Sequence, residues 1–163
     1  MYQNRAAGPT VRPAVSAGTF YGSTGNAYPS QGQNYGGTVF QVASGTLSTI
    51  GNIPGPVEQV SGPHSGLVMD SQGNLYGETM TGGTNNYGTV FELPYSNGSW
   101  GSLMTLHNFA GTDGAYPVGG LLLDSGNLYG TTYSGVIDGS GCSTQLVSST
   151  YPLGCGVVSE ITP

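Results

Sequence analysis

The chain has 163 residues, including 30 glycines and 10 prolines, but only 2 lysines or arginines against 8 acidic residues. A formal net charge of −6 argues against binding to nucleic acid or to an anionic membrane surface, because too few cations are present to neutralise phosphates. The 11 tyrosines and the regular recurrence of apolar residues predict a folded chain in which glycine marks turns between short strands.

Residues 1–12 are predicted to form an N-terminal arm that precedes the repeated part of the chain. The segment MYQNRAAGPTVRP has no apolar run typical of a signal peptide, and we expect no membrane span further along. Its polar residues between Tyr2 and Thr10 tolerate an extended conformation. We therefore expect this arm to be able to add a strand to an open sheet edge.

Residues 13–163 are predicted to form a single domain of three repeat units, at about 13–55, 62–112 and 117–163. The anchors Tyr21, Tyr76 and Tyr129 follow one another at spacings of 55 and 53 residues (76 − 21 and 129 − 76). A period in this range is typical of propellers or stacked arrays.

Each unit is predicted to contain short antiparallel strands and little or no helix. In the third unit the apolar run GLLLD (120–124) is followed by a tight turn and then by the alternating segment LYGTTY. Alternation of apolar and polar residues indicates half-buried strands. The fold class is therefore all-β, with about three four-stranded units that resemble propeller blades. The third unit stops after CGVVSEITP, one strand short, which predicts an open sheet edge. The N-terminal arm is expected to pair with this edge, either in its own chain or, as we favour, in a neighbouring chain.

Two turns carry the same pair of polar residues. They contain Asp70 and Asn74 in the second unit, and Asp124 and Asn127 in the third. We expect each aspartate to accept hydrogen bonds from the N–H groups of its turn, which is a structural role, since the pattern recurs once per unit.

The two cysteines, Cys142 and Cys155, bracket an insertion found only in the third unit. An even count and twelve intervening residues predict a disulfide that closes this loop and stabilises the fold by about 3 kcal/mol. A disulfide implies an oxidising compartment, so we expect an extracellular or cell-surface protein.

Several segments together resemble a known repeat family. They are GLLLDSGNLYGTT (120–132), GTVFEL (88–93) and TLHNFAGTDGAYP (105–117). The pattern resembles the GloVer tandem repeats of secreted bacterial "choice-of-anchor" proteins, and its DSxGNLYG part also resembles NHL-type propeller blades. The resemblance implies a secreted or surface array of propeller-like repeats and supplies no catalytic residues. Ser159 departs from the pattern, which has phenylalanine there.

No residue set predicts a catalytic, metal or cofactor site, and the P-loop, H-E-x-x-H and G-x-S-x-G motifs are absent from the sequence. Glu78, Asp113 and Asp138 have no acidic counterpart in another unit. A pair of them is the candidate acid and base of a polysaccharide hydrolase or lyase. The histidines, His64 and His107, lie at different repeat positions.

Aromatic residues next to turns form the candidate ligand-binding set, because such side chains stack on sugar rings or anchor protein interfaces. The set is Tyr35, Tyr87, Tyr95, Trp100, Tyr116 and Tyr133. Packing between repeat units is the alternative role for the same residues.

Taken together, these features predict a non-enzymatic extracellular protein that self-associates into oligomers or fibres by pairing strands. The alternatives are a module that binds neutral polysaccharide through its loop aromatics, and a hydrolase or lyase acting on such a polymer.

Overall fold

The computed structural model describes residues 14–25, 35–54, 63, 65–135 and 155–163. Throughout these residues the fold is all-β, the strands pair antiparallel, and no helix is present, which confirms the predicted fold class. The described part of the chain accordingly holds no helix long and apolar enough to cross a membrane.

The first sheet follows chain order, with neighbouring strands paired in the sequence β1-β2-β3-β4. Its strands are β1 (Ala14–Ser16), β2 (Thr19–Gly25), β3 (Tyr35–Ala43) and β4 (Thr46–Pro54).

The second sheet repeats this order but gains a small hairpin before its last strand. Its strands are β5 (Val68–Met69), β6 (Leu75–Thr79) and β7 (Thr89–Leu93), then the separate hairpin of β8 (Tyr95–Ser96) and β9 (Ser99–Trp100), and finally β10 (Met104–Asn108). The pairing order is β5-β6-β7-β10. The β8–β9 hairpin has no counterpart in the first sheet.

The third sheet reaches four strands by a different route. Its strands are β11 (Ala115–Pro117), β12 (Leu122–Asp124), β13 (Asn127–Ser134) and β14 (Val158–Ile161). Both β12 and β14 pair with the first half of β13, whereas β11 pairs with its last residues. β14 takes the place that β3 and β7 have in the other sheets, and no strand equivalent to β4 or β10 occurs among the described residues.

Two-residue turns with positive φ close several of these hairpins. Ala17 and Gly18 have φ values of 48° and 79°, and Ser125 and Gly126 have 50° and 87°. Turns with two left-handed residues match the twist of the strands that they join, which favours tight antiparallel pairing.

Two apolar clusters hold the sheets together face to face. Val39 and Ile53 of the first sheet pack with Leu75, Phe91 and Leu93 of the second. Successive residues of a strand point to opposite faces, so the other face of the second sheet is free to pack elsewhere.

The second cluster joins that opposite face to the third sheet. It contains Tyr76 and Val90 of the second sheet, together with Phe109 and Leu128. The second sheet is thus covered on both faces, and all five residues of β6 are buried. The three sheets stack in chain order, with one outer face at each end of the stack.

Asp70 anchors the turn between β5 and β6. Its Oδ1 accepts hydrogen bonds from the N–H groups of Gln72 and Asn74, both at 2.9 Å, and its Oδ2 accepts from Asn74 Nδ2 at 2.8 Å and from the Tyr76 hydroxyl at 3.0 Å. Partial burial acts to raise the pKa of Asp70, but these hydrogen bonds, with those from Asn74 the largest, lower it below its ordinary value.

The corresponding turn of the third sheet is built differently. It is one residue shorter, and Asp124 is exposed and paired with Asn127 across the hairpin. Here Glu160 of β14 accepts from Asn127 Nδ2 at 2.7 Å and from the Tyr129 hydroxyl at 3.1 Å. The shorter turn has no equivalent of Gln72, whose N–H group donates to Asp70 in the second sheet. The carboxylate that anchors the shorter turn therefore comes from Glu160 of the neighbouring strand, β14.

We therefore expect the two aspartates to contribute unequally to stability. Asp70→Ala removes an acceptor from several donors and should lower the free energy of unfolding by about 1–3 kcal/mol. Asp124→Ala, the matched control, should change it by less than about 0.5 kcal/mol. Urea unfolding at neutral pH measures both. Because the pKa of Asp70 is lowered on folding, its contribution should be present above its unfolded pKa and fade as pH falls through the folded pKa. Equal losses in the two variants would contradict this assignment.

Candidate functional site

The candidate acids lie in separate environments. Asp113, between β10 and β11, accepts at Oδ1 from the Ala110 N–H at 2.7 Å, and its Oδ2 lies 2.9 Å from His107 Nε2. Both side chains of this pair are partly exposed. Asp138 lies outside the described residues. Glu78 is buried between the second and third sheets, where its hydrogen-bond partners are Ser65 and Gly120.

Glu78 is 1 % exposed. Its Oε2 accepts from the Gly120 N–H at 3.1 Å and from the Ser65 hydroxyl at 3.4 Å, whereas its buried Oε1 has no hydrogen-bond partner among the described residues. Burial raises the pKa of Glu78 to about 7, against the opposing effect of the bonds from Ser65 and Gly120. The carboxyl group is therefore a weak acid in a site shielded from solvent.

A close contact with glycine explains why a carboxylate fits there. In the first two sheets a phenylalanine ring covers a glycine on the adjacent strand. A Cβ atom at Gly22 would lie 2.6 Å from the ring of Phe40, and one at Gly77 would lie 2.5 Å from the ring of Phe91. Only glycine leaves room for a ring this close to the backbone.

In the third sheet the equivalent glycine, Gly130, pairs with Ser159 instead of phenylalanine. A Cβ atom at Gly130 would lie 2.6 Å from Glu78 Oε1. The side chain of Glu78, reaching across from the second sheet, thus fills space that a phenylalanine ring occupies in the other two sheets.

The exchange also runs in the other direction. Ser23 occupies in β2 the repeat position that Glu78 occupies in β6, and it is buried. One interface therefore combines a serine with Phe91, and the other combines Glu78 with Ser159. Exchanges that conserve volume are the kind that packed cores tolerate best. Ser159 departs from the repeat pattern, and Glu78 has no acidic counterpart in another unit. At this interface the small Ser159 and the large Glu78 compensate each other in volume.

The buried position of Glu78 favours a structural role over catalysis. A glycosidase requires two carboxyl groups that both reach the bond to be cleaved, and a side chain that is 1 % exposed does not reach a polymer from outside the fold. The His107–Asp113 side-chain pair is partly exposed, and the Ala110 N–H donates to the same carboxylate from three residues earlier, a contact typical of a turn.

The candidate aromatic residues fall into separate groups. Tyr95 and Trp100 have ring centroids 4.7 Å apart, and Trp100 also lies 5.7 Å from Tyr21 at the first interface. Tyr87 and Tyr116 make an edge-on pair at 5.8 Å.

The remaining members of the set lie elsewhere. Tyr116 is buried, so it belongs to the packed part of the fold. Tyr133 is exposed on the outer face of the third sheet, and Tyr35 lies in β3 with a side chain outside the described part. The described residues of the set therefore do not form one continuous aromatic surface.

The outer faces of the stack expose several large apolar side chains, which was not predicted from the sequence. The first sheet exposes Val15, Phe20 and Leu47, the last of them by 66 %, and the third sheet exposes Leu122 and Val158, by 63 % and 75 %. The sequence signal for these faces is that, in all three units, apolar residues occupy both alternating positions of a strand, so that each sheet is apolar on both faces.

The predicted disulfide lies partly beyond the described residues. Cys155 is exposed shortly before β14, whereas Cys142 lies outside the described part of the chain. The pairing of the two cysteines remains a prediction.

A comparison with known protein families shows which family the chain belongs to. Residues 6–152 match the Gloeobacter/Verrucomicrobia repeat. The chain belongs to this repeat family. The resemblance to GloVer-type repeats is thereby confirmed, and the tandem-repeat character of the three sheets with it. Comparisons with curated proteins and with solved structures give no match. The described part of this repeat protein also contains no group of three or more His, Cys, Asp or Glu side chains suited to a metal ion.

The raised pKa of Glu78 leads to a pH-dependent stability. The folded state holds this proton more tightly than the unfolded state, so the contribution is fully present below pH 4.5 and is lost as pH rises to about 7. A pKa change from 4.5 to about 7 corresponds to about 3 kcal/mol in the free energy of unfolding. Glu78→Gln keeps the shape without the charge, and it should remove this decline in denaturant unfolding measured between pH 4 and 8.

Glu160→Gln, on an exposed strand position, is the matched control and should leave the decline in place. A Glu78→Gln variant that loses stability with pH as steeply as the unaltered chain would show that Glu78 is not the group responsible.

Proposed function

We propose that this repeat protein is a non-enzymatic structural component, outside the cell, that self-associates into oligomers or fibres. The observation that carries the proposal is the stack of three sheets whose two outer faces expose apolar side chains, including Leu47, Leu122 and Val158. Exposed apolar patches on soluble proteins mark interaction sites. An extracellular location is supported by the low charge, the predicted disulfide and the secreted proteins that the repeats resemble.

Strand pairing at β14 is the first contact that we propose between chains. In the described part of the chain β14 pairs with β13 alone, so its second edge is available to another strand. The N-terminal arm, residues 1–12, lies outside the described residues. We infer that the arm of a neighbouring chain adds to this edge, since an extended segment supplies the main-chain hydrogen bonds that such an edge lacks.

Removal of the arm tests this contact. The unaltered chain should give a particle larger than one chain by size-exclusion chromatography with light scattering, and deletion of residues 1–10 should lower that mass. A truncated chain that keeps both its particle mass and its melting temperature would contradict arm donation. A monomeric unaltered chain at every concentration would overturn the proposed self-association.

A second candidate function is binding to a neutral polysaccharide. It is favoured by the row formed by Tyr21, Trp100 and Tyr95, in which Tyr95 is exposed at the surface end. Aromatic rings of this kind stack on the apolar faces of sugars, and the near absence of cationic side chains suits an uncharged polymer.

Tyr95→Ala should then weaken retention on an insoluble neutral polysaccharide roughly tenfold, a loss of about 1.4 kcal/mol. Tyr133→Ala, which removes an exposed tyrosine on the outer face of the third sheet, is the control and should leave retention unchanged. Absence of retention for the unaltered chain, or equal losses in both variants, would contradict polysaccharide binding at the aromatic row.

A further inference from the structure

The two interfaces inside the chain use the same repeat positions. At the first, Tyr21, Val39 and Ile50 of one sheet meet Leu75 and Phe91 of the next. The two contacting faces differ. The face of the first sheet carries the repeated tyrosine, here Tyr21, whereas the face of the second sheet carries Leu75, the residue just before its own repeated tyrosine. We call them the tyrosine face and the leucine face.

The second interface repeats this arrangement one unit later. The tyrosine face of the second sheet presents Tyr76, Val90 and Leu106, and the leucine face of the third presents Leu128 and Ile161. Each sheet therefore packs its tyrosine face on the leucine face of the sheet that follows in the chain.

The two outer faces of the stack are one leucine face and one tyrosine face, and neither has a packing partner among the described residues. The tyrosine face of the third sheet carries Tyr129, with Leu122 and Val158 at the positions of Val68 and Val90. Both Leu122 and Val158 are exposed, whereas Val90 is fully buried.

The leucine face of the first sheet is apolar in the same way. Phe20 and Leu47 occupy the positions of Leu75 and Leu103 of the second sheet, and both are exposed, whereas Leu75 is fully buried and Leu103 packs against the first cluster. Phe40 covers Gly22 on this face just as Phe91 covers Gly77.

The sizes of the facing side chains also match. The tyrosine face of the first sheet carries the small Ser23 at the repeat position of Glu78, and the leucine face that it meets carries Phe91 over Gly77. The large Glu78 instead meets a leucine face where Ser159 replaces phenylalanine. The third sheet presents Thr131 at the position of Ser23 and Glu78. A small residue there suits a face that carries phenylalanine, which is the case for the first sheet and its Phe40.

Charge is compatible with the same contact. The residues named on the open leucine face carry no charge. On the open tyrosine face, Glu160 lies at the repeat position of Glu92, which is partly buried in the second sheet. Asn127 and Tyr129 already donate to the Glu160 carboxylate, so its hydrogen bonds are supplied from its own sheet.

We infer that the tyrosine face of the third sheet in one copy of this chain docks on the leucine face of the first sheet in a second copy. This inference rests on the proposed self-association and adds to it a face-to-face contact that is separate from the open edge of β14. The two contacting surfaces differ, so the contact is head to tail. Two copies that use both faces form a ring of six sheets, within the range of about 4–8 found in closed propellers.

Two variants with complementary blocked faces test the contact. Leu47→Asp places a charge on the leucine face, and Val158→Asp places one on the tyrosine face. Met104→Asp is the control, because Met104 is exposed on an edge strand of the second sheet, whose faces are both covered. Each face variant alone should self-associate at least roughly a hundredfold more weakly, because docking would bury an unpaired charge. The control should retain the native particle mass.

An equimolar mixture of the two face variants should recover a particle of two chains, because one intact tyrosine face meets one intact leucine face. Recovery also demonstrates that both variants are folded. If only one variant dissociates, or if the mixture stays monomeric although both variants keep native circular dichroism spectra, the head-to-tail contact is wrong.

Face variants that keep the native mass, together with an arm deletion that lowers it, would overturn the face contact and leave strand donation standing. An unaltered chain that is monomeric would overturn both proposals.

Discussion

The structure depends on one constraint: a strand that is apolar on both sides needs a packing partner on each of its faces. β6 meets this constraint, because Leu75 packs toward the first sheet and Tyr76 toward the third, and the whole strand is buried. A single sheet of this composition would expose about half of its apolar side chains to water. When sheets of the same kind stack, both faces of the middle sheet are packed, and one apolar face at each end of the stack is left without a partner. The same is true of other repeat architectures.

Variation between the two internal interfaces is local and balanced. Where the first interface has Ser23 and Phe91, the second has Glu78 and Ser159, and a glycine beneath each large side chain accommodates it. The cost of the second solution is a desolvated carboxyl group with a raised pKa. Its effect is that the faces are no longer interchangeable. A face that carries phenylalanine and a face that carries serine fit different partners, which gives the order of the sheets a physical basis.

Several predictions came from patterns that local physics is sufficient to determine. The strand alternation and the glycine-rich turns predicted the all-β fold, and the repeated anchors at Tyr21, Tyr76 and Tyr129 predicted the repeat units. The resemblance of three segments (88–93, 105–117 and 120–132) indicated the repeat family. The two turn aspartates looked equivalent in sequence but are not in the structure. Their difference depends on one additional residue in the turn of Asp70 and on the position of Glu160 in a strand far along the chain.

The sequence by itself determined which residues form strands and turns, since strand period and turn chemistry act over a few neighbouring residues. Only the tertiary structure decided which face of each strand meets which sheet. It therefore also decided that Glu78 reaches Gly130 across an interface and that Leu47 and Val158 face outward. The physical reason is that an apolar side chain carries no information about its partner. Burial is set by the neighbours that a fold brings near, and here those neighbours lie one repeat unit away.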